Sequence, residues 1–343
     1  METPVPVLDP VVSVIIPARN EEANLRRCLE SLVSQERVSF EIIVVDDGST
    51  DGTRAIAESF PGVRVIEPGP LLPGWTGKNN AVTAGAAQAK GKWLLFTDAD
   101  TVHQPGSLAR AVWEAERHHA DLLSYSPQQE VHGFWERAVM PVIFAELARK
   151  YPPSAVSDYS TNLAAANGQY LLISRAAYDK VGGHASVAGS LLEDVALARA
   201  VRDASLRIRF RYAPDAVRTR MYRGFRQLCE GWTKNLSLLF PAAIPLAALR
   251  ALEFLFTLVC LIIIVFSALH GFWRYAILPF WVPVMTYRRI ATAHFSWSST
   301  LLGIFGLPVF SYLLVRSKLH HMSGNVSWKG RRYPGSAGVT PVS

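Results

Sequence analysis

Polar side chains capable of chemistry follow three apolar runs of the chain, at residues 17–21, 46–51 and 98–100. Asp98 and Asp100 are one residue apart, so an extended strand end aims both carboxylates the same way. Oxygen ligands of this kind suit Mg²⁺ or Mn²⁺, which keep waters and are shared with substrate phosphates. Lys78 supplies a positive charge for a phosphate, and the preceding Gly77 permits close approach of the backbone. Taken singly, each signal also fits a solvated turn, whereas their order and spacing together favour metal-assisted chemistry on a phosphate.

The elements that position these clusters alternate between strand and helix. Apolar runs at residues 11–19, 41–47, 63–68 and 92–100 predict strands. Asn20 is the expected N-cap of the first helix. This helix would place an apolar stripe on one face, made of Leu25, Cys28, Leu29, Leu32 and Val33. Residues 53–60 predict a second helix. This rhythm is typical of an α/β fold with a mostly parallel sheet and helices on both faces, which binds its ligand at the strand carboxyl ends.

Two common nucleotide-binding signatures are missing from the sequence. No GxGxxG follows the first strand and no GxxxxGK[ST] occurs, so a dinucleotide fold and a P-loop NTPase lose their main support. The three cysteines are scattered without CxxC spacing and predict neither a disulfide nor a zinc site.

The formal net charge of +7 hides a strong asymmetry along the 343 residues. Residues 1–198 carry 16 basic and 24 acidic side chains, residues 199–235 carry 10 and 3, and residues 236–343 carry 9 and 1. A uniformly basic coat for nucleic acid is therefore excluded, and no nucleic-acid partner is expected. The distribution favours an acidic head, a basic collar and a tail directed at a membrane surface.

The apolar tail predicts membrane helices. Runs at residues 251–270 and 296–315 are about long enough to cross a bilayer, and shorter runs at 236–249 and 272–287 contain prolines. We expect two to four transmembrane or re-entrant segments; a buried helical core is the alternative. Residues 132–151 predict an amphipathic element at the membrane surface or an internal packing helix.

The domain boundaries follow from this pattern. We expect a catalytic domain at residues 1–235, a membrane region at 236–318 and a basic tail at 319–343. The first residues, METPVPVLD, have neither a basic start nor an apolar core, so we expect no cleavable signal. The predicted location is therefore a multi-pass protein of the cell membrane whose catalytic domain faces the cytoplasm.

Five motifs together resemble those of the family 2 glycosyltransferases: VSVIIPARNEE, EIIVVDDGSTDGT, GWTGKNNA, LLFTDADT and LLEDVALARAV. The resemblance covers roughly residues 11–235. It implies the nucleotide-sugar-binding fold of glycosyltransferase A type and inverting transfer of a sugar from a nucleotide-diphosphate sugar. FRQLCEGWTKN, the apolar tail and VSWKGRRYP are similar to the membrane-bound branch that includes carotenoid-acid and hopanoid-associated transferases.

The resemblance also implies roles for individual residues. The positions expected to line the nucleoside pocket are Pro17, Ala18, Asn20 and Glu21, with Asp46 and Asp47 at its floor. Lys78 would contact the base edge or the diphosphate, Asp98 and Asp100 would form the DxD metal motif, and Gly168 would lie near donor sugar and acceptor. Asp194, with Glu193 beside it, matches the base that takes a proton from the acceptor, a capping acidic pair being the alternative.

The sequence departs from processive members of the family, since it lacks their Q-x-x-R-W motif after the base. Trp232 and Lys234 are instead the expected contacts to acceptor or diphosphate. The expected activity is a metal-dependent single transfer from a UDP-sugar, the family's commonest donor, to a hydrophobic lipid acceptor. Transfer to polyprenyl phosphate and an inactive membrane scaffold are the alternatives.

Overall fold

A computed structural model of the chain describes residues 9–324, 326–328 and 331–333. Its strands, in chain order, are β1 (Val12–Ala18), β2 (Phe40–Asp46), β3 (Val63–Ile66), β4 (Trp93–Phe96), β5 (Thr101–His103), β6 (Leu122–Ser126), β7 (Gln128–Gln129), β8 (Leu171–Ser174), β9 (Ile208–Tyr212), β10 (Val217–Thr219), β11 (Val326–Trp328) and β12 (Arg331–Tyr333). Its α-helices are α1 (Leu25–Val33), α2 (Thr53–Glu58), α3 (Gly77–Gln88), α4 (Ser107–Arg117), α5 (Gly133–Lys150), α6 (Pro153–Ser157), α7 (Arg175–Lys180), α8 (Glu193–Asp203), α9 (Phe225–Leu239), α10 (Ala243–Leu269), α11 (Ile277–Ala291) and α12 (Trp297–Met322).

The chain forms two compact units. The first contains the described residues up to Glu130 together with Pro153–Arg220, and the second contains Val131–Pro152 and the described residues from Met221 onward. Helix α5 therefore belongs to the same unit as helices α9 to α12, although it lies between two parts of the first unit in sequence.

A seven-stranded sheet forms the centre of the first unit, in the order β3-β2-β1-β4-β8-β6-β9. Four of its neighbouring pairs are parallel, and only β8 runs antiparallel, to both β4 and β6. The apolar residues of β1 and β2 are buried because both faces of the sheet are covered. This confirms the predicted α/β fold with a mostly parallel sheet.

Strand β1 carries one polar side chain into the interior. Ser13 is fully buried, and its hydroxyl donates to Glu41 Oε1 at 2.7 Å and accepts from the backbone N–H of Gly91 at 2.8 Å. A Cβ on Gly91 would come within 2.5 Å of the Ser13 nitrogen, so the chain passes too close here for any side chain. The contacts explain why a serine interrupts the apolar run without loosening the core.

Two details of the predicted first unit are wrong. Asn20 is not an N-cap: its φ of 52° is left-handed, and helix α1 begins only at Leu25. The strand predicted over residues 92–100 ends at Phe96, because Asp98 and Asp100 belong to a turn that leads into β5. The apolar stripe of α1 is buried at Leu25, Cys28, Leu29 and Leu32, whereas Val33 is exposed.

Two helices of the second unit, α10 and α12, are long and apolar enough to cross a membrane by length and composition. They contain all but one end residue of each of the predicted runs 251–270 and 296–315, and α10 leaves most of its surface uncovered within the structure. The shorter run 272–287 falls mainly in α11, and the run 236–249 is divided between the end of α9 and the start of α10. Two such helices are weak support for a membrane location.

Helix α5 packs inside the second unit, against α12, and is an internal helix as the second interpretation of residues 132–151 expected. Its fully buried Glu146 forms an ion pair with Arg250, whose Nε is 2.9 Å away, and accepts a hydrogen bond from Arg289 at 2.7 Å. Glu253 also pairs with Arg289, at 3.0 Å, so a closed group of charges joins α5, α10 and α11. Burying such charges is tolerable because each is paired.

The predicted basic tail at residues 319–343 lies partly outside the described residues. Within it, α12 ends at Met322, and β11 and β12 form an antiparallel pair. The motif VSWKGRRYP spans these two strands, but residues 329, 330 and 334 of it are outside the described residues.

Candidate active site

Lys78 lies between two carboxylates of the first unit. Its Nζ is 2.7 Å from Asp98 Oδ1 and 2.7 Å from Glu193 Oε1. Burial favours the neutral amine, but the negative charges of Asp98 and Glu193 outweigh it and hold the pKa of Lys78 well above its usual value. Lys78 is therefore a fixed positive charge at neutral pH, in a group that otherwise carries negative charge.

The N-terminal turn of α3 positions Lys78. The Thr76 hydroxyl caps this helix by accepting the backbone N–H of Asn79 at 3.2 Å, and the Thr76 N–H donates to the carbonyl of Ala188 at 2.9 Å. The buried side-chain amide of Asn79 donates to the carbonyls of Val187, Ala188 and Ser190 at 2.8 to 3.1 Å. These bonds fix the start of α3 to the segment that leads into α8 and Glu193.

Asp194 lies in the first turn of α8 and is held by two backbone N–H groups. Gly168 donates to its Oδ2 at 2.8 Å, and Val195 donates to its Oδ1 at 2.8 Å. Burial and the negative charge of Glu193 raise the pKa of Asp194 to about 6, against the opposing effects of Lys78 and the two N–H donors. A carboxylate with such a pKa is ionised at neutral pH and still basic enough to accept a proton.

Gly168 comes close to three charged groups at once. A Cβ at this position would be 3.2 Å from Lys78 Nζ, 3.3 Å from Glu193 Oε1 and 3.4 Å from Asp194 Oδ2. A side chain would crowd the polar atoms of the site, so the absence of one lets the backbone N–H reach Asp194.

A small cleft contains six of the predicted site residues. They are Pro17, Lys78, Asp98, Gly168, Glu193 and Asp194. Sequence reasoning missed the other lining residues, which are Val82, Phe96, Thr97, Leu171 and His184. His184 follows a glycine pair in VGGHAS, which was the only signal near it; the apolar residues resemble ordinary core positions in sequence.

The turn that carries Asp98 and Asp100 is held by threonine hydroxyls. Thr101 Oγ1 donates to the carbonyl of Asp98 at 2.6 Å, and Thr219 Oγ1, on β10, donates to the carbonyl of Asp100 at 3.2 Å. His103 is buried behind this turn, and burial lowers its pKa to about 3. His103 is therefore a neutral core residue close to Thr97 and Thr101, its Nε2 3.2 Å from Thr97 Oγ1.

The donor set at this turn fits a hard divalent cation shared with a substrate. Among the described residues there is no group of three or more His, Cys, Asp or Glu side chains placed to hold a metal. Asp98 and Asp100 offer carboxylate oxygens only, and Lys78 already occupies one oxygen of Asp98. A metal here would take its remaining ligands from phosphate oxygens and water, as Mg²⁺ and Mn²⁺ commonly do.

The predicted nucleoside-pocket residues meet where β1 and β2 end side by side. Ala18 and Asp46 are register partners, and the N–H of Asp47 donates to the carbonyl of Ala18 at 2.8 Å. Asn20 Oδ1 accepts the N–H of Thr50 at 2.9 Å. Two further bonds tie the turns together, from Ser49 N to Asp46 Oδ1 at 3.1 Å and from Glu21 N to Thr53 Oγ1 at 2.7 Å. The sheet thus brings Ala18, Asn20, Glu21, Asp46 and Asp47 to one edge.

Trp232 and Lys234 lie on α9 in the second unit. Trp232 is buried: its Nε1 donates to Met140 Sδ at 3.4 Å, and its ring packs against Phe144. The carbonyl of Lys234 is 2.8 Å from His321 Nε2. The contacts described for Trp232 are packing contacts within its unit, and the acceptor or diphosphate role of both residues stays a prediction.

Residues 13–182 match the family model described as glycosyl transferase family 2. A curated relative, 4,4'-diaponeurosporenoate glycosyltransferase of Staphylococcus aureus (strain MRSA252), is 32% identical over 230 residues, which are 66% of this chain and 60% of the relative. The match therefore spans less than two thirds of the relative's length. A solved mannosyltransferase, PcManGT from Pyrobaculum calidifontis in complex with GDP-Man and Mn²⁺, is similar with a TM-score of 0.54 and 18% identity, over 93% of this chain and 89% of the other.

Proposed function

We propose that the chain, whose residues 13–182 match glycosyl transferase family 2, is a member of that family and transfers a single sugar, with inversion, from a nucleotide-diphosphate sugar to a hydrophobic lipid acceptor. The observation that carries the proposal is the cleft in which Lys78 bridges Asp98 and Glu193 beside Asp194. A fixed cation and a DxD turn suit a diphosphate, and a carboxylate of raised pKa suits proton removal.

Asp194 is the proposed base. It takes the proton from an acceptor hydroxyl as that oxygen bonds to the anomeric carbon of the donor sugar. The bond between this carbon and the diphosphate oxygen breaks, and the electron pair leaves with the nucleoside diphosphate. The two N–H groups of Gly168 and Val195 fix the carboxylate for this task. A lipid hydroxyl or carboxylate is the proposed acceptor, and the hydroxyl is the one that has a proton for the base to remove.

Asp98 and Asp100 are the proposed ligands of Mg²⁺ or Mn²⁺. Such an ion neutralises charge on the departing diphosphate when it is bound. The structurally similar mannosyltransferase was solved with GDP-Man and Mn²⁺, which supports a nucleotide sugar and a divalent cation as ligand classes. The curated relative's name refers to a carotenoid acid, which supports a hydrophobic acceptor. UDP and GDP are both open as the nucleotide, and UDP is our expectation.

The proposed location is the cytoplasmic face of the cell membrane. Helices α10 and α12 support membrane attachment by length and composition, and the basic residues from 199 onward suit anionic headgroups. We propose a catalytic domain at residues 1–235, a membrane region of two to four segments at 236–318, and a basic tail at 319–343. Membrane lipids and nucleotide sugars are the proposed partners, and nucleic acid is not.

A donor screen with site variants tests the catalytic proposal. Membranes that contain the full chain are incubated with labelled UDP- and GDP-sugars, and extracted lipids are identified by mass spectrometry. We expect wild-type membranes to yield a glycolipid, and Asp194→Asn and Asp100→Ala to lose at least about a hundredfold in turnover. Asp203→Asn, at the exposed end of the same helix α8, is the matched control and should retain activity. Wild-type turnover in both site variants would disprove the assignment.

The same assay separates the alternatives. Polyprenyl phosphate carries an anionic oxygen, so transfer to it should survive Asp194→Asn. Label found in a water-soluble polymer would contradict a lipid acceptor. An inactive scaffold should give no product with any donor, even though it binds membranes.

A further inference from the structure

His184 lines the active-site cleft, yet no step of the proposed reaction uses it. It lies in a short 3₁₀ helix, Gly183–Val187, and its side chain is 2% exposed. The cleft around it also contains Lys78, Asp98 and Asp194. Four of the eleven lining residues are charged, and the imidazole of His184 is an uncharged polar group beside them.

The imidazole ring is held in a defined orientation. Its Nδ1 is 3.0 Å from the hydroxyl of Tyr178, and the same hydroxyl oxygen accepts the backbone N–H of His184 at 3.1 Å. Phe96 packs edge-on against the ring at a centroid distance of 4.5 Å. A hydrogen bond on one side and an aromatic contact on the other fix the orientation of the ring, as a side chain that makes a directional contact with a ligand requires.

The glycine before His184 makes this arrangement sterically feasible. Gly183 has a φ of +55°, and a Cβ on it would come within 2.5 Å of the Tyr178 ring. Gly183 is therefore required both for the backbone conformation and for Tyr178 to pack beneath His184.

Protonation follows from these contacts. Burial raises the pKa of Tyr178 to about 12, so the phenol keeps its proton. Burial lowers the pKa of His184 to about 4, so the ring is neutral at pH 7. The Tyr178 oxygen already accepts a backbone N–H, so we assign its own proton to a hydrogen bond with Nδ1, and this assignment puts the ring proton on Nε2.

We propose that His184 is a specificity-determining residue, which donates a hydrogen bond from Nε2 to a hydroxyl of the donor's sugar ring. Lys78 and the carboxylates suit phosphate and proton transfer, whereas a neutral N–H donor suits an uncharged hydroxyl. The apolar ring of Phe96 beside it adds a surface for the sugar's carbon face. The inference rests on the proposed function, since it names the part of the nucleotide sugar that His184 contacts.

Binding measurements separate the sugar from the nucleotide. Isothermal titration calorimetry on the detergent-solubilised full chain with Mn²⁺ compares UDP with UDP-glucose and GDP with GDP-mannose. The pair that the wild type binds is then used to compare the variants. His184→Ala should weaken binding of the nucleotide sugar about five- to tenfold, the effect of one neutral hydrogen bond, and leave the nucleoside diphosphate within about twofold. His184→Gln retains an N–H donor and should recover part of the loss.

The outcomes are distinct. Equal binding of the nucleotide sugar by wild type and His184→Ala overturns the proposal. A parallel loss for the nucleoside diphosphate overturns it too, because His184 would then support the fold of the cleft; thermal unfolding of each variant identifies that case. Failure of the wild type to bind any nucleotide sugar would instead count against the proposed function.

Discussion

Asp194 and Glu193 are neighbours that affect one another's ionisation. Glu193 is buried and shares Lys78 with Asp98, and its charge is one cause of the raised pKa of Asp194. The two residues of the acidic pair therefore have different functions in one helical turn. Asp194 is the proposed base and accepts two N–H groups that lower its pKa, and the negative charge of Glu193 raises that pKa again. A pair that only capped the helix would not need this division.

The pH dependence of activity tests this interpretation. Because Asp194 must be ionised to act as a base, kcat/KM should fall about tenfold per pH unit below an acid limb near pH 6. Glu193→Gln removes a negative charge beside Asp194, which favours the ionised form and should move the limb to lower pH. Pre-steady-state or steady-state pH profiles of both proteins measure the shift. Glu116→Gln, on the exposed face of α4, is the control and should leave the acid limb in place. An acid limb that does not move in Glu193→Gln would contradict the effect of the Glu193 charge on the pKa of Asp194.

The start of α3 is positioned by contacts far away in sequence. Asn79 reaches three carbonyls more than a hundred residues later, next to the helix that carries Glu193 and Asp194. The two sides of the cleft are therefore joined by one buried amide. The side-chain amide of its neighbour Asn80 donates to the carbonyl of Gly69, at 2.9 Å.

Removal of this amide should loosen the cleft. Asn79→Ala removes three hydrogen bonds at once, although the carbonyls of Val187 and Ala188 keep backbone donors. We expect a loss of about 2–3 kcal/mol of stability together with a higher KM for the donor. Thermal unfolding of the solubilised chain and donor titrations measure both effects. Asn80→Ala, one residue along, should cost less than about 1 kcal/mol and leave KM unchanged. Similar effects in the two variants would show that the Asn79 contacts do not organise the site.

The sequence allowed prediction of the elements whose signal is local. The strands β1 to β4 were visible as short apolar runs, and the carboxylates after them were expected at one sheet edge. Strand β8 and its antiparallel direction were not predicted, because LLIS has no periodicity of its own and its partners lie far along the chain. The same reason applies to the small sheet of β5, β10 and β7, in which Thr219 reaches Asp100.

Several residues that a motif named lie around one cleft, whereas residues placed there by long-range contacts were not predicted. Lys78, Asp98, Gly168 and Asp194 are spread over more than a hundred residues, yet they surround one cleft. His184 carries no recognisable motif, and its position depends on Tyr178 and on two glycines with positive φ. Such a residue is found only when the packing is known.

On the scale of the whole molecule, charge is divided between the two ends of the chain. The acidic side chains concentrate before residue 199 and the basic ones after it. A protein attached to a membrane with an anionic surface is expected to have this polarity, with its acidic part held away from the lipid and its basic part near the headgroups. The cytoplasmic orientation of the catalytic domain stays a proposal.

Cysteine labelling tests this orientation directly. Cys28, Cys229 and Cys260 are all buried, so the natural chain should react poorly with a membrane-impermeant maleimide. Glu36→Cys places a thiol at an exposed position of the first unit. We expect it to be labelled only after cells are permeabilised, with the unmodified chain as the background control. Labelling of intact cells would place the first unit outside the cytoplasm.

The position of β8 has a consequence for synthesis of the chain. It lies between β4 and β6 in the sheet, but it is made more than seventy residues after β4. Until residue 174 has left the ribosome, β4 presents the apolar run WLLF along an open edge, which is a template for association with other chains. The first unit therefore completes late and through distant pairings, which slow folding. Slower translation of residues 97–174, or chaperone binding while they are being synthesised, should thus raise the yield of soluble first unit. The same treatment applied after residue 174 has been synthesised should raise it less.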